Sequence, residues 1–206
     1  MNNQPFDVIA FDIGGVLVQL TGVPRMLEWL QSDADGDMWN RWLLSESVRS
    51  FETGKCTAEE FASAVCAEFA LPVAPDAFLE EFVTWAHGVF PGAHELLRAL
   101  RPHYQLVSLS NNNSIHWSRI RDEMKLADLF DRHFLSHEIG LIKPDREVFE
   151  HVVAALGIPA ERILYFDDNR LNVEQARAVG MSAHRTVGLE AVIAKLAELN
   201  IITSNR

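Results

Sequence analysis

The 206-residue chain predicts an α/β fold, a parallel sheet covered by helices, with a small helical unit inserted after the first strand. Three observations carry this expectation. Apolar runs rich in branched residues, Val8 to Phe11, Leu106 to Leu109 and Ile163 to Phe166, each end on a polar cluster, as strands buried on both faces of a parallel sheet do. From Ala93 onward, helical and strand-like segments alternate in the manner of βαβ units. Between Leu20 and Phe90 the spacing is helical instead. A Rossmann-like core is therefore expected in residues 1–19 and 91–206, and a helical unit in residues 20–90.

The first strand runs straight into Asp12-Ile13-Gly14-Gly15. Ligands of open parallel sheets bind beyond the carboxyl ends of the strands, so Asp12 faces a site there, and the glycines let backbone amides approach a ligand closely. Taken alone, an Asp that merely opens a turn is an equal reading. Within the insert, Pro24 to Leu30 and Met38 to Leu44 have helical spacing. Thr57-Ala58-Glu59-Glu60 is a capping box for a helix with Phe61, Val65 and Phe69 on one face, and Pro75-Asp76 opens another helix. Helices are then expected over 93–100, 115–124, 147–156, 173–179 and 189–199, with strands over 106–110, 132–135, 163–166 and 182–185.

Three further polar clusters follow the apolar runs. Ser110 and Asn111-Asn112-Asn113 offer a hydroxyl and amide donors suited to phosphate oxygens, although a polar turn with a helix N-cap explains them equally well. Lys143 sits in the loop Gly140-Leu141-Ile142-Lys143-Pro144-Asp145, where a bound anion competes with solvent as its partner. Asp167 and Asp168 repel each other at the end of their strand, a cost that a hard cation such as Mg2+ between them and Asp12 would remove. Helix capping by Asp168 or Asn169 is the alternative.

Composition narrows the function classes. A formal net charge of −11 argues against nucleic acid and anionic membrane surfaces as partners. Two cysteines, Cys56 and Cys66, do not make a disulfide framework and point to a reducing compartment, with the cytoplasm as the expected location. No signal peptide and no membrane span are expected. Oligomeric state is left open.

Asp12, Ser110 with Asn111, Lys143, and the pair Asp167 and Asp168, in this order, closely resemble the four motifs of the haloacid dehalogenase superfamily, most of whose members are Mg2+-dependent phosphatases. The likeness spans nearly the whole chain. It implies that Asp12 is the nucleophile, that Ser110 and Asn111 hold the phosphoryl group with Lys143, and that Asp168 binds the metal directly while Asp167 acts through water. Asp12 and the backbone carbonyl of Gly14 would complete the metal site. Residues 20–90 would form a mobile cap that selects the leaving group. The implied reaction is hydrolysis of a small phosphomonoester, a sugar phosphate being the favoured class, through an aspartyl-phosphate. Alternatives are a haloacid dehalogenase, or a catalytically weak phosphate-binding or regulatory member.

One departure stands out. The family's phosphatases normally carry a second Asp two residues after the nucleophile, which protonates the leaving group; here that residue is Gly14. General acid-base assistance is typically worth about 10²–10⁴-fold, so the vacancy bears on rate or substrate choice. Branches with an Asp-x-Gly first motif, among them the bacterial α-glucose-1-phosphate phosphatases, are similar in all four clusters. His137 is a candidate stand-in for the missing acid, whereas Glu52 and Lys55 are expected in a solvated turn, the alternative being that they face the core instead of bulk solvent.

Overall fold

The computed structural model describes residues 5–31 and 35–203. In chain order the elements are β1 (Val8–Phe11), β2 (Val18–Leu20), α1 (Gly22–Leu30), α2 (Asp35–Leu44), α3 (Glu46–Glu52), α4 (Ala58–Glu68), α5 (Pro75–Phe82) and β3 (Ala86–Val89). They continue as α6 (Ala93–Leu100), β4 (Gln105–Ser110), α7 (Ser114–Asp122), β5 (Arg132–Leu135), α8 (Ser136–Ile139) and α9 (Arg146–Leu156). The chain closes with β6 (Ile163–Asp167), α10 (Arg170–Val179), β7 (Ser182–Arg185) and α11 (Leu189–Glu198).

Five strands pair in the order β5-β4-β1-β6-β7, all parallel. Alternate side chains of β1 feed opposite layers. Ile9 and Phe11 pack with Leu97 of α6, Trp117 of α7 and Val192 of α11, whereas Val8 and Ala10 pack with Phe149 of α9 and Val173 of α10. The order of connection reverses at β1, because β4 lies on one side of it and β6 on the other. An open parallel sheet has its ligand crevice at that switch point, outside the strands' carboxyl ends.

The stretch between β1 and α6 is not wholly helical. β2 and β3 form a two-stranded antiparallel ribbon at the root of the helical unit, pairing Val18 with Val89 and Gln19 with Gly88. Strands of three or four residues are too short to show an alternating pattern, which is why helical spacing alone was expected there. Gly22 is needed where the ribbon enters α1, since a Cβ on it would lie 2.1 Å from the Trp85 ring.

The helical unit has its own aromatic core. Phe51 and Phe61 stack with ring centroids 4.4 Å apart, and Phe78, Phe82 and Trp85 pack around them. The Thr57 capping box forms as expected, with the Thr57 hydroxyl accepting from Glu60 N–H at 3.2 Å and the Glu60 carboxylate accepting from Thr57 N–H at 2.9 Å. Arg49 of α3 bridges to Asp145 beside the Lys143 loop, tying the unit to the sheet domain.

Candidate active site

Asp12, Ser110 and Asp167 end neighbouring parallel strands, so the sheet brings them to one edge with no help from local sequence. Asp12 is buried. Its Oδ1 accepts from Ile13 N–H at 2.7 Å and lies 3.1 Å from Lys143 Nζ. Both of these contacts fall on Oδ1.

Lys143 is the organising cation of the site, only 1 % exposed. Besides Asp12, its ammonium donates to Asp167 Oδ2 at 2.7 Å, to the Leu109 carbonyl at 3.0 Å and to the Tyr165 hydroxyl at 3.1 Å. Burial works against the charged amine, but the carboxylates of Asp12 and Asp167 outweigh it and hold its pKa above the ordinary lysine value. Asn111 clamps the backbone of this lysine. Its side-chain Oδ1 accepts from Lys143 N–H and its Nδ2 donates to the Lys143 carbonyl, both at 2.9 Å. The side-chain amide expected to hold phosphate is therefore committed to positioning Lys143, and the neighbouring Asn113 is the N-cap of α7.

Asp167 is fully buried and heavily used. Its oxygens accept from Lys143, from the Tyr165 hydroxyl, from Asn172 Nδ2 at 3.0 Å and from Asn169 N–H at 2.8 Å. Asp168 turns the other way, against the loop after β1. A Cβ on Gly15 would fall 2.2 Å from Asp168 Oδ2, and Gly15 has φ +71°, so this glycine both makes the turn and admits the carboxylate.

Ligand oxygens of Asp12, Asp167 and Asp168 lie within 4.8 Å of one another. Burial, together with repulsion from Asp12 and Asp167, pushes the Asp168 carboxyl up to about 8. Burial likewise raises Asp12 to about 6, against the pull of Lys143. Hard oxygens crowded in this way fit a small divalent cation, whose charge would relieve the repulsion. No backbone hydrogen bond of the described loop engages the Gly14 carbonyl, which is left as a further oxygen donor. The residues present thus fit Mg2+.

Gly14 itself is not in the left-handed region. A Cβ there would meet Leu20 Cδ1 at 2.8 Å, so a leucine side chain occupies the space into which an acid would project. The expected stand-in, His137, is not among the residues lining the cleft over the site; it is half-buried, and burial lowers its pKa. Glu52 lines it instead. This residue ends α3, half-buried, and its carboxyl is pushed up to about 8 by burial, with Lys143 pulling down and Asp12 pushing up. The expected solvated turn is thereby corrected for Glu52 and kept for exposed Lys55. A trace was present in the sequence: Glu52 falls at i+4 from Val48, on the stripe that buries Val48 and Phe51.

The cleft runs from Gly14, Ser110 and Asn111 to the aromatic residues of the helical unit. Among the described residues, no helix is long and apolar enough to cross a membrane.

Residues 6–180 match the model of the haloacid dehalogenase-like hydrolase family. The chain is 29 % identical over 188 residues to a phosphatase of Mycobacterium tuberculosis, covering 84 % of this chain and 86 % of that one. It is 29 % identical over 177 residues to a sesquiterpene phosphatase of Aspergillus oryzae, covering 85 % and 87 %. A family enzyme of Bacteroides thetaiotaomicron, solved with magnesium and inorganic phosphate, superposes with a TM-score of 0.69 at 25 % identity, covering 87 % of this chain and 93 % of its own.

Proposed function

The chain belongs to the haloacid dehalogenase-like hydrolase family, and from that membership we propose that it is a Mg2+-dependent phosphatase that hydrolyses a small phosphomonoester through an aspartyl-phosphate on Asp12. The observation that carries this reading is the convergence of Asp12, Lys143 and the paired Asp167 and Asp168 at one sheet edge. Relatives named as phosphatases support it. The pair Asp167 and Asp168 argues against a dehalogenase, which displaces halide without a metal: Asp167 anchors Lys143 in either enzyme, but the second crowded acid, Asp168, suits a metal site. A reducing compartment, the cytoplasm, suits the free thiols Cys56 and Cys66.

Asp12, Asp168 and the Gly14 carbonyl would hold Mg2+, which when bound neutralises charge on the phosphoryl oxygens and on the carboxylates around them. Lys143 neutralises charge from the other side, and Asp167 and Asn111 keep it in place. The Ser110 hydroxyl and the backbone N–H groups after Asp12 and Ser110 hold the remaining oxygens. A carboxylate oxygen of Asp12 attacks phosphorus and the bond to the alcohol oxygen breaks. Glu52, uncharged at neutral pH because of its raised pKa, gives its proton to that oxygen. Water then attacks phosphorus, passes a proton to the Glu52 carboxylate, and releases Asp12 and inorganic phosphate. The unit formed by residues 20–90 carries Glu52 over the core formed by 1–19 and 91–206 and acts as the cap.

Phosphate release from a phosphomonoester panel, with Mg2+ and with chelator, tests the reading. Activity that survives chelation, or a panel with no turnover, rejects it.

Two expected results sharpen the assignment. Glu52→Gln should lower turnover of alkyl phosphates by about 10²–10⁴-fold and that of p-nitrophenyl phosphate far less, since nitrophenolate leaves without a proton. Because the folded-state pKa of Glu52 is raised, wild type loses stability as pH rises from the ordinary carboxylate range to about 8, so the variant should also melt higher than wild type at neutral pH, by an amount that levels off above about pH 8. Equal losses on both substrates would show that Glu52 does not serve the leaving group.

The second concerns the metal. Asp12 and Asp168, raised to about 6 and about 8, must shed protons before they ligate, so Mg2+ affinity should climb through that interval by up to about tenfold per pH unit. Without metal, both groups withdraw stability as pH rises above the ordinary carboxylate range, Asp12 up to about 6 and Asp168 up to about 8. Saturating Mg2+ should flatten that fall. Calorimetric titration at several pH values and melting curves with and without chelator measure both effects.

A further inference from the structure

Resting on the phosphatase reading above, we propose that the substrates are monophosphates of apolar alcohols, with the hydrocarbon part of the leaving group seated between the β2–β3 ribbon and the aromatic face of the helical unit. The cleft that starts at Gly14, Ser110 and Asn111 ends on Leu20, Val23, Trp39, Trp42, Phe82 and Trp85. Leu20 also fills the space beside Gly14, so hydrocarbon begins directly next to the reacting position.

Polar groups in the lining beyond the phosphate end are few, and most are already committed. His116 places Nε2 2.6 Å from the Phe82 carbonyl and Nδ1 3.2 Å from Asn113 Nδ2. Burial drops the His116 pKa to about 4, so the ring is neutral. Asn112 accepts from Asn113 N–H through its Oδ1 at 2.8 Å. That leaves the Glu52 carboxyl, which the leaving oxygen itself requires, and the Trp85 indole N–H, buried without a partner, a single donor that cannot serve the several hydroxyls of a sugar. A sugar entering this cleft would exchange the water on several hydroxyls for aromatic carbon, and unpaired buried hydroxyls are penalised strongly. An alkyl or ring hydrocarbon of the same size loses nothing by that exchange and gains burial. A sugar phosphate, favoured from the sequence, is thus the poorer match to this wall.

Cyclohexylmethyl phosphate and glucose 6-phosphate provide the test: both present a six-membered ring on a primary phosphate ester, and they differ chiefly in hydroxyls. With Mg2+ present, kcat/KM should favour the apolar ester by about 100-fold or more, the discrimination expected of an apolar wall against several unpaired hydroxyls. Glucose 1-phosphate should also rank below it. Trp39→Gln should reduce the ratio of the two kcat/KM values about tenfold and Trp39→Leu should restore it; a ratio does not depend on how much of each variant is folded. Acetyl phosphate, which has no bulky leaving group, reports on the phosphate machinery alone. If acetyl phosphate is hydrolysed and either glucose phosphate matches the apolar ester, the inference is overturned while the phosphatase reading stands. If acetyl phosphate and every ester fail, both are overturned. A high ratio left unmoved by Trp39→Gln would overturn the placement of the hydrocarbon against this wall.

Discussion

Asp12→Asn is expected to lower kcat by about 10⁴-fold or more with little change in fold, because the reaction loses its nucleophile and the alternative, direct attack by water, has no base positioned for it. The substitution is nearly isosteric. The side-chain oxygen can still accept from Ile13 N–H, and Lys143 keeps Asp167 at 2.7 Å as its counter-charge. Asp12 carries a pKa raised by burial, so removing its charge takes away a group that burdens the metal-free fold above about pH 6. Melting temperature should therefore be held or slightly increased at neutral pH. Rates from single-turnover experiments and melting by circular dichroism check the two halves of this result. Trapping of radiolabelled phosphate on wild-type protein, and its absence in the variant, identifies the covalent intermediate. A folded Asp12→Asn protein with near-native turnover would rule out the aspartyl-phosphate route.

Lys143→Met carries the largest expected loss of stability. Lys143 is 1 % exposed and lies between Asp12 and Asp167, so its removal leaves two buried carboxylates without their cation. Breaking a buried pair from one side typically costs about 3–5 kcal/mol. For a chain of this size that corresponds to a melting decrease of roughly 6–20 °C. The cost should shrink as pH falls towards 5, because protonation removes the uncompensated charge on Asp12. Activity should be lost at every pH. Lys143→Arg should not rescue either property: the site makes four contacts to one compact ammonium, and a planar guanidinium cannot reproduce them. Differential scanning calorimetry at pH 5.5 and pH 8 separates charge from packing. A loss equal at the two values would mean that the methylene stem, and not the ammonium, stabilises the fold.

The vacancy at Gly14 is best understood as a relocation. Where an acid would project from the nucleophile loop, Leu20 of the β2–β3 ribbon fills the space, and among the described residues lining the cleft the acid is Glu52 of α3. In the proposed mechanism, proton delivery then depends on the helical unit, because Glu52 belongs to it. Arg49, one turn earlier on the same helix, is held by Asp145 next to the Lys143 loop. That bridge fixes the end of α3 relative to the sheet edge and so sets where the carboxyl of Glu52 sits.

By itself the sequence determined the elements and their polar ends. Apolar runs of four to six residues, each closed by Asp, Ser or paired Asp, specify strands buried on both faces, and β4, β5, β6 and β7 lie within a residue of the expected ranges. It also carried Asp12, Ser110, Lys143 and Asp168 as candidates, since parallel strands all finish on one edge. Tertiary structure alone decided what those side chains touch. Lys143 reaches Asp167 across 24 residues and the Leu109 carbonyl across 34, Asn111 clamps the lysine backbone across 32, and Glu52 comes from another core altogether. The short β2–β3 ribbon and the apolar wall beside Gly14 belong to the same class. Hydrophobic periodicity records only whether a residue faces inward from its own helix or strand. Which distant group it meets there depends on the order in which strands assemble and on how the cap packs, and neither leaves a mark in neighbouring residues.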